Sequence, residues 1–433
     1  MRTFTMLAST LALGTSMLAA EPGYPLREAV ELTPRGGLPN FFAKLQAGKE
    51  IKIAYFGGSI TAADGWRGKT LKWFQGKYPN AKLSEVNAAI GGTGSGLGVF
   101  RLGHDVLQFK PDLMFVEFAV NDGGADPVSI HRSMEGILRQ SWKALPEMDI
   151  CYVYTVAHES MLNDLKNGKY PRAASAMEAL ADHYGIPSIH MGLEIATLEK
   201  AGKLVFKGPK PQTDAEKAAL GDKMLFSSDG VHPFTETGHV VYTEVVARCM
   251  EKIAALPDAK AGPHVLGAPL VADNWEAAKM VPLSRTTMSA GWQKLDPAKD
   301  SLAKSFGNRM AEIWKAEKPG ESLTFKFRGS SAGIYDFLGP DCGQVKVKLD
   351  DKPEATRARI DPYCTYHRIA SLDLGSGLPD AVHTVTVTVD SQVPDKMKIL
   401  FEHNRPDMEK NPAKYQGTTW YAGAVMLIGD LVE

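Results

Sequence analysis

Ile51–Ile60 reads IKIAYFGGSI. The apolar run Ile51 to Phe56 has strand character, stops on Gly57-Gly58 and presents Ser59 just beyond it. Glycine tolerates the sharp or left-handed backbone that such a stop needs. A hydroxyl just past a strand end stands at the carboxyl edge of a sheet, where open α/β folds bind their ligands. Ser59 is therefore the candidate nucleophile, and the surrounding chain must supply a base, an orienting acid and donors for an oxyanion.

Outward from this stretch, strand-like runs alternate with helical patterns. Strands are predicted over Ile51–Phe56, Leu83–Ala88, Leu113–Val120, Ile150–Val156 and Ile186–Ile189. Helices are predicted over Lys69–Lys77, Leu97–Gln108, Pro127–Leu145, Ala173–Tyr184 and Thr235–Ala255. The run LMFVEFAV (113–120) is nearly all apolar, as in a strand covered on both faces. The alternation implies a parallel sheet with helices on both sides. Lys200–Phe226 breaks the rhythm: it is polar, carries Pro209 and Pro211, and reads as a long loop leading into Ser227-Ser228-Asp229.

Beyond Pro257 the pattern changes. PDAKAGPHVLGAPL is rich in Pro, Gly and Ala and reads as a linker. Leu323–Phe327, Val345–Leu349, His383–Val389 and Lys396–Glu402 then alternate or nearly alternate, the signature of antiparallel strands in an all-β sandwich, jelly-roll-like in type. The expected organisation is a signal peptide at 1–20, a catalytic domain at 45–256, a linker at 257–264 and a β-sandwich domain at 265–433.

The length of 433 residues fits this division. A formal net charge of −1, with no basic run interleaved with aromatics, argues against nucleic acid as a partner. Arg2, the uncharged apolar stretch Met6–Leu18 and Ala19-Ala20 read as a secretory signal, so the mature protein is expected to be secreted or periplasmic, with no membrane span. Of the four cysteines, Cys151 and Cys249 read as small core residues. An oxidising compartment would permit a bridge between Cys342 and Cys364. Their spacing matches no common zinc motif.

A serine hydroxyl needs a base to take its proton. The stretch DGVHP (229–233) offers Asp229 and His232 three residues apart, so that one tight loop can present a carboxylate and an imidazole together. On these residues alone, a helix cap and a surface histidine remain the alternative. Donors for developing negative charge are available from NAAIGGTGS (87–95) and from Asn121 in AVND, at the end of the most apolar strand. A turn-capping role for Asn121 also stays open. Ser59, the Gly91-Gly92 loop and Asn121 all follow predicted parallel strands, so they converge on one sheet edge.

The order GGSIT, NAAIGG, AVND, DGVHP resembles the four blocks of the SGNH (GDSL-type) hydrolase superfamily of esterases, lipases and carbohydrate deacetylases. The resemblance implies a flavodoxin-like three-layer α/β/α fold over about residues 50–255. It makes Ser59 the nucleophile and first oxyanion donor, Gly92 the second donor through its backbone N–H, and Asn121 the third through its amide. Asp229 and His232 complete the triad, and no metal or organic cofactor is required. Gly58 stands where the family usually has Asp, and Ala119 where it usually has Gly. A secreted domain of this kind followed by a sandwich is similar to carbohydrate O-acetylesterases, implying an acetylated polysaccharide or oligosaccharide as substrate. The alternatives are a lipid or small acyl ester, or a carbohydrate-binding protein with a vestigial hydrolase domain.

Other motifs point elsewhere and fail. GWRGKT (65–70) lacks the first glycine of a phosphate-binding loop, and GGTGSGLG (91–98) contains no Gly-x-Gly-x-x-Gly. Thr61 stands where a nucleophile elbow would have glycine. His158-Glu159 can line the pocket, Arg101 and His104 share a helix face, and Trp66 reads as core or as an apolar wall for a sugar. His183, His190 and His239 read as packed or surface residues. Tyr363, Tyr366, His367 and Arg368 read either as sandwich packing or as a group reaching over the active site.

Overall fold

The computed structural model describes residues 24–257 and 260–432, so the expected signal peptide lies outside the described residues. The N-terminal domain is organised on six strands: β1 (Leu32–Thr33), β2 (Glu50–Gly57), β3 (Lys82–Asn87), β4 (Leu113–Glu117), β5 (Asp149–Tyr154) and β6 (Ser188–His190). Their order is β1-β6-β5-β4-β2-β3. All neighbours are parallel except β1, which pairs antiparallel with β6. Without β1 the order is that of a flavodoxin-like sheet. It reverses between β2 and β4, and ligands bind outside the strand ends at such a switch point.

Helices cover both faces. Along the chain they are α1 (Pro39–Gln46), α2 (Ser59–Ala62), α3 (Trp66–Lys77), α4 (Ser95–Asp105), α5 (Pro127–Ala144), α6 (His158–Lys166), α7 (Arg172–Tyr184), α8 (Met191–Lys200), α9 (Asp214–Leu220) and α10 (Gly238–Ala254). The period of two in β2 divides its side chains between two cores. Ile51, Ile53 and Tyr55 pack with Phe41, Phe74 and Val245, whereas Ala54 and Phe56 pack with Val99, Leu138 and Leu180. Trp66 is fully buried, at 5.3 Å from the Tyr55 ring and 5.8 Å from that of Phe115, and so belongs to the core. Among the described residues no helix is long and apolar enough to cross a membrane.

Three expectations need correction. Lys200–Phe226 is not one long loop: it folds as β7 (Leu204–Lys207), α9 and β8 (Met224–Ser227), with β7 and β8 parallel. The reason is local, since Thr213 accepts from the Glu216 amide while the Glu216 side chain accepts from the Thr213 amide, a reciprocal cap that starts a helix. The strand predicted to reach Val120 ends at Glu117, because the Asp122 amide turns back to the Phe118 carbonyl at 2.8 Å. Lys396–Glu402 is not a strand. Asp395 caps a helical turn, Lys396–Ile399, and the buried Lys396 ammonium donates to the carbonyls of Pro340 and Tyr415, each at 2.8 Å.

The C-terminal domain is a large antiparallel sheet of ten strands. Its spine is the long strand Ser322–Leu338. The first half pairs with Ala381–Val389 and the second with Arg368–Gly375, while Trp420–Val432 runs along its other edge. The register shifts between Gly329 and Ser331. There Gly329 faces Gly429 so closely that a Cβ on Gly329 would come 2.6 Å from the Gly429 Cα. A bulge at paired glycines lets one strand serve both layers of a sandwich. All four cysteines are buried free thiols, Cys342 and Cys364 included.

The two domains share an apolar seam, in which Ile90 and Leu97 pack with Phe337, Ile369 and Met426. The Arg309 guanidinium adds a hydrogen bond to the Ala89 carbonyl at 3.3 Å. The second domain is thereby seated on the loop that carries Gly91-Gly92.

Candidate active site

Ser59 is the first residue of α2, directly after β2, with extended backbone at Gly58. Its Oγ lies 2.8 Å from His232 Nε2, and His232 Nδ1 lies 2.7 Å from Asp229 Oδ2. Asp229 Oδ1 accepts the amides of Val231 and His232, both at 2.8 Å, so one carboxylate folds its own loop and orients the ring. Partial burial raises the Asp229 pKa. Hydrogen bonds from the His232 ring and from the two amides outweigh that, and the carboxyl stays below its usual range. The loop is tied at both ends. The Gly230 amide donates to Ser227 Oγ at 2.8 Å, and the His158 amide donates to the Gly230 carbonyl at 2.7 Å. His158 holds that contact with a left-handed backbone, φ +59°. Its contact with this loop is thus made by its main chain.

The Gly91-Gly92 loop after β3 is drawn to the same edge. The Ile90 amide donates to the Gly57 carbonyl at 3.0 Å, and a Cβ on Gly91 would lie 3.5 Å from Ser59 Cβ. Gly92 has φ +73°, which favours glycine. Asn121, after β4, packs its amide on Gly58 so tightly that a Cβ there would overlap Asn121 Oδ1. Glycine at 58 leaves the room that this amide occupies. Gly58→Ala is expected to displace the amide and lower kcat by about 10², the cost of an ångström-scale misplacement. Steady-state rates beside an unchanged Tm check this, and an unaltered kcat would show that the amide has no role.

Two buried charged residues lie beneath the site: Arg101, whose helix face could have met substrate or been packed, and Glu117, which the sequence reading did not single out. Arg101 on α4 is buried and paired with Asp105 at 2.7 Å. It reaches the Ala88 and Gly57 carbonyls and stacks 4.4 Å from the Phe56 ring centroid, so it braces β2 and the loop after β3 and does not face the cleft. Glu117, at the end of β4, accepts from the Thr61 hydroxyl at 2.9 Å and the Thr155 hydroxyl at 2.8 Å. It ties the serine turn to the end of β5. An acid in an otherwise apolar strand is the sequence signal that was available.

Burial pushes the Glu117 carboxyl up to about 7, against the pull of the Thr155 and Thr61 hydroxyls and the Gly58 amide. Its ordinary value is 4.5, so between these values the folded chain holds a proton that the unfolded chain has released. The folded state gains at the acid end and loses that contribution as pH rises through about 7. The Tm of Glu117→Gln relative to the parent is expected to be higher at pH 8 than at pH 5, as scanning calorimetry would show. A pH-independent difference would mean that Glu117 does not titrate there.

A cleft of about 410 Å³ opens beside Gly92 and Asn121. One wall is N-terminal, with Asp122 and Ser129, and the other is C-terminal, with Asp361, Arg368 and Ser371. Of the aromatic and basic group in the second domain, Arg368 alone lines this cleft. His367 pairs with Asp341 at 2.6 Å.

A flavodoxin-like parallel sheet with a hydrogen-bonded Ser–His–Asp chain at its carboxyl edge is the build of a hydrolase. Residues 55–240 match the family model of the GDSL-like Lipase/Acylhydrolase family. Over these residues the chain is similar to GDSL/SGNH-type hydrolases, and its enzyme class is carboxylic ester hydrolase. No protein with a curated description matches the chain. Among solved structures, a two-domain esterase (CEX) active on acetylated mannans, co-crystallized with mannopentaose, matches with TM-score 0.69 at 19% identity. The match covers 95% of this chain and 100% of that one. A second crystal structure described as that esterase, without mention of the sugar, gives TM-score 0.70 at 19% identity, over 93% of this chain and 98% of its own. At this identity the likeness establishes the two-domain fold.

Proposed function

We propose that the protein is an exported serine esterase that removes O-acetyl groups from a polysaccharide or oligosaccharide. The observation that carries this reading is the unbroken hydrogen-bond chain from Ser59 through His232 to Asp229. Ser59 Oγ attacks the ester carbonyl while His232 Nε2 takes its proton, and Asp229 holds the imidazolium that forms. The Ser59 and Gly92 amides and the Asn121 side-chain amide receive the oxyanion. His232 then protonates the departing alcohol. It next activates a water that attacks the acyl-serine, freeing acetate and regenerating Ser59.

The side chains of Asp122, Ser129, Asp361 and Arg368 in the cleft beside Gly92 and Asn121 favour a sugar over a lipid chain. The two-domain likeness to an esterase active on acetylated mannans supports the same substrate class. In this reading residues 1–20 direct export, 45–256 catalyse, 257–264 link and 265–433 form the second domain. Turnover of p-nitrophenyl acetate, together with acetate release from a panel of acetylated glycans, tests the proposal. A folded sample that turns over neither, and that a fluorophosphonate does not label, would refute it.

A further inference from the structure

We propose that Arg368 and Asp361 of the C-terminal domain form a clasp for the hydroxyls of a neutral sugar beside the oxyanion loop, and that this clasp disfavours uronates. The inference rests on the esterase reading for the chemistry next to it, and on the geometry of the second domain for the clasp itself. The Arg368 guanidinium lies directly against Gly92: a Cβ built there would overlap Nη2. Gly92 adjoins Gly91, whose own Cβ position is 3.5 Å from Ser59 Cβ. A group attached to an ester at Ser59 and directed into this cleft therefore meets Arg368.

The guanidinium is held before any ligand arrives. Arg368 begins the strand Arg368–Gly375, opposite Leu338. Its Nη1 donates to Asp361 Oδ2 at 2.8 Å, and its Cζ sits 5.0 Å from the Tyr363 ring centroid. Asp361 is fixed in turn, because its Oδ1 accepts from the Tyr363 amide at 2.9 Å and from Cys364 Sγ at 3.2 Å. Among the described residues no side-chain or carbonyl acceptor meets Arg368 Nε or Nη2, so two edges of the fork remain for a ligand. A guanidinium locked in place loses little freedom when it binds.

Charge decides the class of sugar. The Arg368 cation is already balanced by Asp361, and the same cleft carries Asp122. A second carboxylate, such as that of a uronate, would enter a site with no uncompensated positive charge. A neutral sugar hydroxyl is both donor and acceptor, and it matches a site that offers N–H groups beside a carboxylate oxygen. Ser129 and Ser371 extend that polar lining, and Trp275 provides an apolar surface within it.

The test is calorimetric titration of the full chain carrying Ser59→Ala with two probes, mannopentaose and pentagalacturonate. Mannopentaose is expected to bind the tighter, and Arg368→Met or Asp361→Asn to weaken it by about tenfold or more, the worth of a charge-assisted hydrogen bond. Arg368→Lys keeps the charge but not the fork. It is expected to recover only part of the loss, which separates recognition from folding, and a matched Tm checks the fold. Unchanged mannopentaose affinity in both variants, no mannopentaose binding at all, or tighter binding of pentagalacturonate would overturn the clasp. Failure of the esterase reading would show separately, as absence of p-nitrophenyl acetate turnover in the Ser59-intact chain.

Discussion

Ser59→Ala is expected to lower kcat for p-nitrophenyl acetate by on the order of 10⁶, the scale seen when a serine nucleophile is removed. The oxygen that forms the acyl bond is gone, and His232 has no proton to take. The amides of the Gly91-Gly92 loop and Asn121 remain, so a small residual rate over water is expected. The fold should be unaffected, because among the described residues the serine hydroxyl bonds only to the exposed His232 ring. Fluorophosphonate labelling should vanish in the same variant while the Tm holds. A kcat within tenfold of the parent, or labelling that persists, would place the nucleophile elsewhere.

Asn121→Ala is expected to cost about 10²–10³ in kcat, the range for one oxyanion donor. The KM should change little, because the negative charge that the amide meets exists only in the transition state. Packing offers a competing explanation, since the amide also covers Gly58. Asn121→Asp separates the two, because it restores the shape while replacing the N–H donor with negative charge. If packing governs the rate, Asp recovers it. If donation governs it, Asp is as slow as Ala or slower. A raised KM with unchanged kcat in Asn121→Ala would assign the residue to ground-state binding only.

The catalytic half of the fold was legible because its signals are local. The run LMFV (113–116) is buried on both faces of the sheet, and so had to be apolar throughout. Asp126 followed by Pro127 announces the start of α5, where the Asp126 carboxylate accepts the Val128 amide at 2.9 Å. The unit at 204–227 was missed because its strands have four residues each, too few for periodicity to speak, although Thr213 and Glu216 already spelled a helix cap. Lys396–Glu402 misled for the opposite reason: its alternation was real, but the apolar and charged positions serve a helical turn around a buried ammonium.

By itself the sequence determined that Ser59, the Gly91-Gly92 loop and Asn121 gather at one sheet edge. Each lies in the segment that follows a strand, and parallel strands end on the same side. It also determined that Asp229 and His232 share a loop, since residues three apart are joined by the chain itself. Only the tertiary structure decided that His232 reaches Ser59, that Glu117 ties the serine turn to Thr155, and that Arg368 crosses from the second domain to Gly92. Those contacts join residues far apart in the chain. They depend on how two packed domains meet along the seam from Ile90 to Met426, and no local pattern of side chains encodes that orientation.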